Sequence, residues 1–404
     1  MKINKAFLYE LKPNNKQLDS LNKHCGVARF AWNWGLARSI KLFDTENGLD
    51  KFTNSKKLHK ELNLLKKTEF SWMYEVSKCA PQEALRDLEN AYNEFRKKWR
   101  LGFGFPKFKK KGKRDSFRLT GAIHVTERHV ILPRIGKIRT KENTLKLKGR
   151  ILSATINRKA DRWFVSFQVE SEANNTNYKL NGIVGIDWGI NNFATIFDGK
   201  EITKYISPRP LQTKIKQIKK LNKQHSKKQN GSNNKRRQSQ RIARLYLHIH
   251  NIRKDFINKL TSELAKTKSV ICIEDINIKN MAKHPSISRS VEDSGYGMFK
   301  DMLRYKTIWY GSKLIIIGMY EPSTKTCSNC GYVLKELDMS TRQWVCPNCG
   351  ISHDRDENAS KNIRSIGIRL LNTEGSSEIH ACGESVSPRL KKAVLAEAGN
   401  KHKS

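Results

Sequence analysis

The chain has 404 residues, 78 Lys+Arg against 38 Asp+Glu, a formal net charge of +40 and 37% hydrophobic residues. No run approaches the roughly 18 uncharged apolar residues of a membrane helix, and the start, Met1-Lys2-Ile3-Asn4-Lys5, lacks the apolar stretch of a secretion signal, so a cytoplasmic protein is expected. The cations are spread over the whole chain, which argues against one membrane-binding amphipathic segment and calls for a polyanion such as DNA or RNA.

Residues 2–11 alternate and carry Ile3, Phe7 and Tyr9, which predicts a single strand. After Pro13, an apolar stripe at steps of three and four (Leu18, Leu21, Cys25, Ala28, Trp32) predicts a helix. A second stripe runs Leu85, Leu88, Tyr92, Phe95, Trp99, with Pro81 suited to its first turn. Residues 13–101 are therefore expected to form a helical module. Composition then shifts at Gly102. Residues 96–118 hold eleven Lys/Arg, one Asp and five aromatics (Trp99, Phe103, Phe105, Phe108, Phe117). Cations and aromatics interleaved on a backbone broken by Gly and Pro suit phosphate contact with base stacking, and Lys107, Phe108 and Lys109 lie at its heart. From 119 to 172, short apolar runs such as His129–Leu132 and Trp163–Phe167 predict a small barrel or twisted sheet. The strand at 2–11 can belong to it, with the helical module inserted between.

Residues 173–181 read as a polar linker, followed by a buried strand at Ile183–Asp187, a tight turn, a second strand and a third from Lys200 to Ile206. Residues 202–254 hold sixteen Lys/Arg and no acid. Beyond the break at 230–234, Ile242, Leu245, Ile249, Ile252, Phe256, Leu260 and Leu264 form a long apolar stripe, so one face packs and the other is basic. Unopposed charge over such a length is costly unless phosphate lies on it; Lys235, Arg236, Arg237, Arg241 and Arg244 are the candidate contacts. Ser269–Asp275 is a buried strand ending in carboxylates, Asp293–Tyr310 a helix and Leu314–Gly318 a further strand. A last helix starts at Asp354–Ile363, and residues 373–404 read as a poorly ordered tail.

A parallel pairing of the strands at 183 and 269 would make Asp187 and the end of 269–275 neighbours, because a long basic helix connects them. Asp187 shares its face with Gly185 and Gly189, which are expected to leave room for an ion and a sugar-phosphate backbone. Glu274 shares its face with Cys272, and the acids opening the last helix can close the cluster. Among near neighbours, Asp275 is expected to cap the following segment and Asp354 the last helix, leaving Asp356 in that helix's first turn. Carboxylates alone, on a phosphate-binding chain, point to two Mg2+ ions that activate water and stabilise a leaving 3′ oxygen.

Cys327, Cys330, Cys346 and Cys349 form C-x2-C-x15-C-x2-C, and a Gly follows each pair. In a reducing compartment this is a zinc ribbon with a closed, structural S4 site, and one Zn2+ is expected. His353 stands close by, but four thiolates already fill the shell.

Ile186-Asp187-Trp188-Gly189, Ile273-Glu274-Asp275-Ile276-Asn277, Pro322-Ser323-Thr324-Lys325-Thr326-Cys327 and Asp354-Arg355-Asp356-Glu357-Asn358-Ala359-Ser360 resemble, in order, the TnpB family of insertion-sequence RNA-guided nucleases, relatives of type V CRISPR effectors. Gln82–Leu88 and Phe105–Lys109 resemble its N-terminal half. The resemblance implies an α+β and α/β multidomain fold. Its parts are an OB-like β-barrel wedge at 1–12 and 102–180, an inserted helical recognition domain at 13–101, an RNase H-like RuvC nuclease at 181–326 and 351–372, and a zinc ribbon at 327–350. By motif position, Asp187, Glu274 and Asp356 match the family's catalytic acids. It also implies a noncoding guide RNA from the transposon end as cofactor and partner, and a double-stranded DNA target with a short flanking motif. Flank reading is expected from Lys78, Gln82, Lys107, Phe108, Ser116 and Thr120. Ser360 stands where the family commonly has Ala, with no catalytic consequence. The protein is expected to work as a monomer with its RNA, nucleoid-associated when on target. A guide-free transposase or accessory protein acting at transposon ends is the alternative reading, and a non-enzymatic regulator is disfavoured by the three acids.

Overall fold

The structure, a computed structural model, describes residues 2–45, 54–172, 181–190, 192–338 and 340–374. The expected linker lies outside these residues except for Asn181. So does the expected tail, except for Thr373 and Glu374, which belong to the last helix. The chain forms two compact units, Met1–Ala173 with Gln217–His248 and Asn174–Lys216 with Ile249–Ser404.

In the first unit, β1 (Lys2–Lys12) leads into α1 (Asn15–Thr45), α2 (Ser55–Thr68), a 3-10 turn at Ser71–Glu75, α3 (Cys79–Lys98) and a second 3-10 turn at Trp99–Leu101. Six strands follow: β2 (Ser116–Leu119), β3 (His124–Thr126), β4 (His129–Leu132), β5 (Gly136–Thr140), β6 (Arg150–Lys159) and β7 (Arg162–Glu172). They form one sheet in the order β2-β6-β7-β1-β5-β4-β3. β1 pairs antiparallel with β7 from Lys2↔Glu172 to Leu11↔Trp163, so the first strand is central and the helices are an insertion between β1 and β2. Ile3, Tyr9 and Leu11 are buried at the two-residue period of a strand. The stripe of α1 packs with Leu85 and Leu88 of α3 in the core shared with the sheet.

The second stripe stops short of its expected end. Trp99 is 57% exposed, because α3 ends at Lys98 and the tighter turn that follows rotates the ring off the packed face. Phe117 departs from the surface role expected of the basic segment's aromatics. It is buried, with its ring 4.9 Å from that of His24.

In the second unit, β8 (Ile183–Trp188), β9 (Asn192–Phe197) and β10 (Ile202–Ile206) precede α4 (Pro210–Ser226) and α5 (Asn233–Thr267). Both helices pass from one unit's residues into the other's. Next come β11 (Val270–Glu274), α6 (Ile278–Met281), α7 (Ser288–Ser294), α8 (Tyr296–Tyr310), β12 (Lys313–Ile317), β13 (Gln343–Val345), β14 (Ser352–Asp354) and α9 (Arg355–Glu374). The sheet order is β10-β9-β8-β11-β12. β8 to β10 are antiparallel, whereas β11 lies parallel to both β8 and β12, as the crossover through a long helix predicts. Val184, Ile186, Ile271 and Ile273 face a core with Leu260 and Leu264 of α5 and Phe299 and Leu303 of α8. The opposite face holds Cys272, Ile315 and Ile317 against Ile363 of α9.

The glycines beside Asp187 do not hold space open for a ligand. A Cβ at Gly185 would lie 2.2 Å from Ser360 O and 2.5 Å from Arg364 N, so the missing side chain lets α9 settle on β8. At Gly189 a Cβ would lie 2.7 Å from Asn192 O, within the turn. Because backbone atoms of α9 would have to move, Gly185→Ala should destabilise the protein by about 1–3 kcal/mol or more, read as a lower melting temperature. An unchanged melting temperature would mean that α9 is not held this closely.

Candidate active site and metal centre

One row of side chains crosses the second sheet on its α9 face. Register pairs Asp187 of β8 with Thr195 of β9, and Thr195 with Lys204 of β10. On the other side, β11 and β8 are paired up to Ile273↔Ile186, so Glu274 falls beside Asp187 at the carboxyl ends of these parallel strands. The start of α9 meets this row. Asp354 Oδ1 accepts from the N–H groups of Asp356 and Glu357, each at 3.0 Å, and so caps the helix as expected. Asp356 then sits in the first turn.

Two of the acids act on the third. Asp187 is only 8% exposed, and burial, followed by the charges of Asp356 and Glu274, raises its pKa well above the ordinary carboxyl value. Burial likewise lifts Glu274 to about 7, with Asp275 adding to the shift and Ser323 opposing it. Arg355 and Arg342 partly oppose the rise at Asp187, and Arg342 Nη1 lies 3.4 Å from Asp356 Oδ1. An oxygen-only donor set with the buried Asp187 at its centre fits a hard divalent cation. Asp275 takes another role than the cap expected of it. Its carboxylate pairs with Lys300 of α8, and Asn277 caps the next segment by accepting from Asn280 N–H at 3.1 Å. The Tyr296 hydroxyl donates to the Glu274 main-chain carbonyl and anchors the end of β11.

The cysteines converge more tightly. Among the described residues they are the group whose ligand atoms all lie within 4.8 Å of one another. Cys327 and Cys349 Sγ are 3.7 Å apart and Cys330 and Cys346 Sγ 3.6 Å, close to the edge of about 3.8 Å that 2.3 Å zinc–sulfur bonds give a tetrahedron. The two knuckles repeat one hydrogen-bond pattern. Gly331 N–H donates to Cys327 O and Gly350 N–H to Cys346 O, both at 2.9 Å, with φ of +77° and +73° that favour glycine. A side-chain bond from Asn348 and the backbone at Tyr332 lower the Cys330 thiol to about 6.

The ribbon and α9 are stitched together. His353 Nε2 is 3.1 Å from Cys327 Sγ, and the His353 ring packs 4.7 Å from that of Trp344. Asn358, 1% exposed, donates to Thr326 O at 2.7 Å and accepts from Ser328 N–H at 2.9 Å. Asn362 donates to Ser323 O at 2.7 Å and Thr326 O at 2.6 Å. Sequence reasoning missed Arg342, Asn358 and Asn362 as parts of this site. The spacing of the two asparagines, one helical turn apart, was the available signal.

The candidate nucleic-acid contacts lie in the first unit. Lys78 and Gln82 flank Cys79 at the start of α3, and Thr120 Oγ1 reaches Cys79 Sγ at 3.4 Å. Ser116 opens the edge strand β2. Lys107, Phe108 and Lys109 form a strap tied to α1. Trp32 Nε1 donates to Lys107 O at 3.0 Å, and the Asn33 amide bonds both Lys109 N–H and Lys109 O. Lys109 Nζ lies 3.7 Å from the Trp32 ring centroid, whereas the Phe108 ring is exposed. On α5 the charge is not wholly unopposed. Arg244 makes a two-point pair with Asp161, whose Oδ1 is 2.9 Å from Nε, and Lys235 Nζ donates to Asn230 Oδ1 at 2.7 Å. Arg236, Arg237 and Arg241 carry no ion pair among the described residues.

Three family models match the chain: residues 166–284 the one described as "Probable transposase", residues 296–363 "Cas12f1-like, TNB domain", and residues 1–47 "Helix-turn-helix domain". Within 2–45 the structure has one strand and one helix. A protein of Escherichia coli (strain K12), named as the candidate RNA-guided DNA endonuclease InsQ, is 30% identical over 404 residues, covering 96% of each chain. A candidate RNA-guided DNA endonuclease of Streptomyces pristinaespiralis is 29% identical over 392 residues, covering 96% of this chain and 93% of its own. In fold, the chain is similar to Cas12f1 in its complex with sgRNA and target DNA, at a TM-score of 0.53 and 13% identity over 90% of this chain and 99% of that one.

Proposed function

The chain belongs to the TnpB family of RNA-guided DNA endonucleases, and on that premise we propose that it cuts DNA at Asp187, Glu274 and Asp356 with Mg2+, directed by a noncoding RNA from its transposon end. The observation that supports these acids is their convergence: three elements each supply one carboxyl group, and the central one, Asp187, is buried. Mg2+, when bound, supplies an activated water and charge stabilisation at the leaving 3′ oxygen. Asp187, Glu274 and Asp356 would hold it. Arg342 brings a guanidinium to the same row, suited to a phosphate oxygen of the strand being cut. The four cysteines hold one structural Zn2+.

The wedge is assigned to 1–12 and 102–180, the recognition helices to 13–101, the nuclease to 181–326 and 351–372, and the ribbon to 327–350. Lys78, Gln82, Lys107, Phe108, Ser116 and Thr120 read the target flank, while base pairing with the guide reads the rest. No described helix is long and apolar enough to cross a membrane. The protein acts in the cytoplasm, on the nucleoid when engaged, as a monomer with its RNA. The guide-free transposase reading is not favoured, since the relatives matched along nearly their whole length are named for RNA-guided cleavage. Sequencing the RNA that co-purifies is the test: a discrete transcript ending at the transposon boundary is expected. RNA-free protein that acts on transposon ends would replace this reading.

The exposed cations of α5 supply a second check. Neutralising Arg236, Arg237 and Arg241 should lower the slope of log K against log salt by roughly 0.7–0.9 for each phosphate that is no longer neutralised. An unchanged slope would make them a solvated face.

A further inference from the structure

Three acids, Asp354, Asp356 and Glu357, crowd the start of α9, and only Asp356 is assigned above as a cation ligand. Asp354 spends Oδ1 on the helix cap, and its Oδ2 lies 3.3 Å from Lys204 Nζ. Glu357 Oε1 lies 2.7 Å from the same Nζ. Lys204 is not a stray surface residue. It ends the cross-sheet row that runs through Thr195 to Asp187, on the face where α9 packs. Its side chain is 36% exposed and those of Asp354 and Glu357 are 34% exposed, so all three are open to ions from solvent.

A divalent cation entering such a row meets more carboxylate oxygens than it needs. A spare carboxylate beside a two-ion site would draw an ion out of register, because hard cations collect oxygen ligands with little selectivity. From the shared Lys204 partner we infer that Lys204 is a positioning residue. It withholds Asp354 and Glu357 from the catalytic cations and leaves Asp356 as the acid that α9 presents to Asp187 and Glu274. The inference rests on the site assigned above. Lys204 is held charged by its bond to Glu357, which raises its pKa, so the block persists at neutral pH.

The test uses the full chain with its RNA. Mn2+ bound per complex is counted in parallel for parent and variants, so that ions on the RNA cancel, and cleavage is followed as a function of Mg2+. Lys204→Met should bind additional Mn2+ and cut about tenfold to a hundredfold more slowly at saturating Mg2+. Lys204→Arg should behave as the parent. The double variant Lys204→Met/Glu357→Gln should recover the parental Mn2+ count and most of the rate, because the Glu357 carboxylate is gone and Asp354 stays engaged by its helix cap. A slow Lys204→Met that Glu357→Gln does not rescue would mean a mere structural tie and would overturn the inference. So would a parental Mn2+ count in Lys204→Met. Asp356→Ala in the same assay separates the two levels. If it is inactive beside an unaffected Lys204→Met, the inference alone fails; if it still cuts, the site assignment fails and takes the inference with it.

Discussion

Asp187→Ala, Glu274→Ala and Asp356→Ala should each reduce DNA cleavage by about a thousandfold or more while leaving RNA and DNA binding largely intact. Each change removes a cation ligand from the row but none of the cations of the first unit or of α5. Burial makes Asp187 and Glu274 reluctant to ionise, so protons and Mg2+ compete for them. With Glu274 raised to about 7, its carboxyl is protonated below that pH and charged above it. At limiting Mg2+, cleavage should therefore rise as pH passes upward through about 7, and excess Mg2+ should move the rise to lower pH. The same shift bears on the metal-free chain. A native carboxyl that still holds its proton where the unfolded one has lost it contributes stability at low pH, and that contribution is lost as pH rises through about 7. Cleavage that survives in Asp356→Ala but fails in Asp354→Ala would move the third acid to the cap position.

Loss of zinc should be nearly as damaging. Cys330→Ser removes one thiolate from a group drawn within 4.8 Å, and the protein should lose its one tightly held Zn2+. The damage should spread through His353, which touches Cys327 and directly precedes the cap Asp354, and through Asn358 and Asn362, which bond the turn segment entering the first knuckle. The start of α9 would lose its ties on that side, and cleavage should fall by about tenfold to a hundredfold, with guide RNA still bound by the first unit. Metal analysis alongside cleavage checks this; a zinc-free, folded and fully active preparation would refute it.

Much of this was legible in the sequence because the signals were local or strictly periodic. The cysteine spacing marked the ribbon, Asp354 had the spacing of a cap, and the strand at 2–11 could be joined to the later sheet. What stayed hidden depended on partners far along the chain. The purpose of Gly185 is invisible until Ser360 and Arg364 are known to lie over it. Arg244 looked unopposed because Asp161 is 83 residues away. Asp275 looked like a cap because nothing local announces Lys300. Lys204 read as one more cation in a basic run, and only the register from Asp187 through Thr195 gives it an address.

The pairing of β1 with β7 also sets a schedule for synthesis. Lys2 waits for Glu172, and Leu11 for Trp163, so the central strand of the first sheet is made first and pairs last. At roughly 5–20 residues per second, the ribosome leaves β1 without that partner for about ten to thirty seconds. The helices between β1 and β2 pack on one another and can begin to fold in that interval, whereas the core they share with the sheet is completed only when the late strands arrive. A nascent chain interrupted before residue 163 would carry helices with an open core face and a first strand paired only at its end with β5, a ready target for chaperones and proteases.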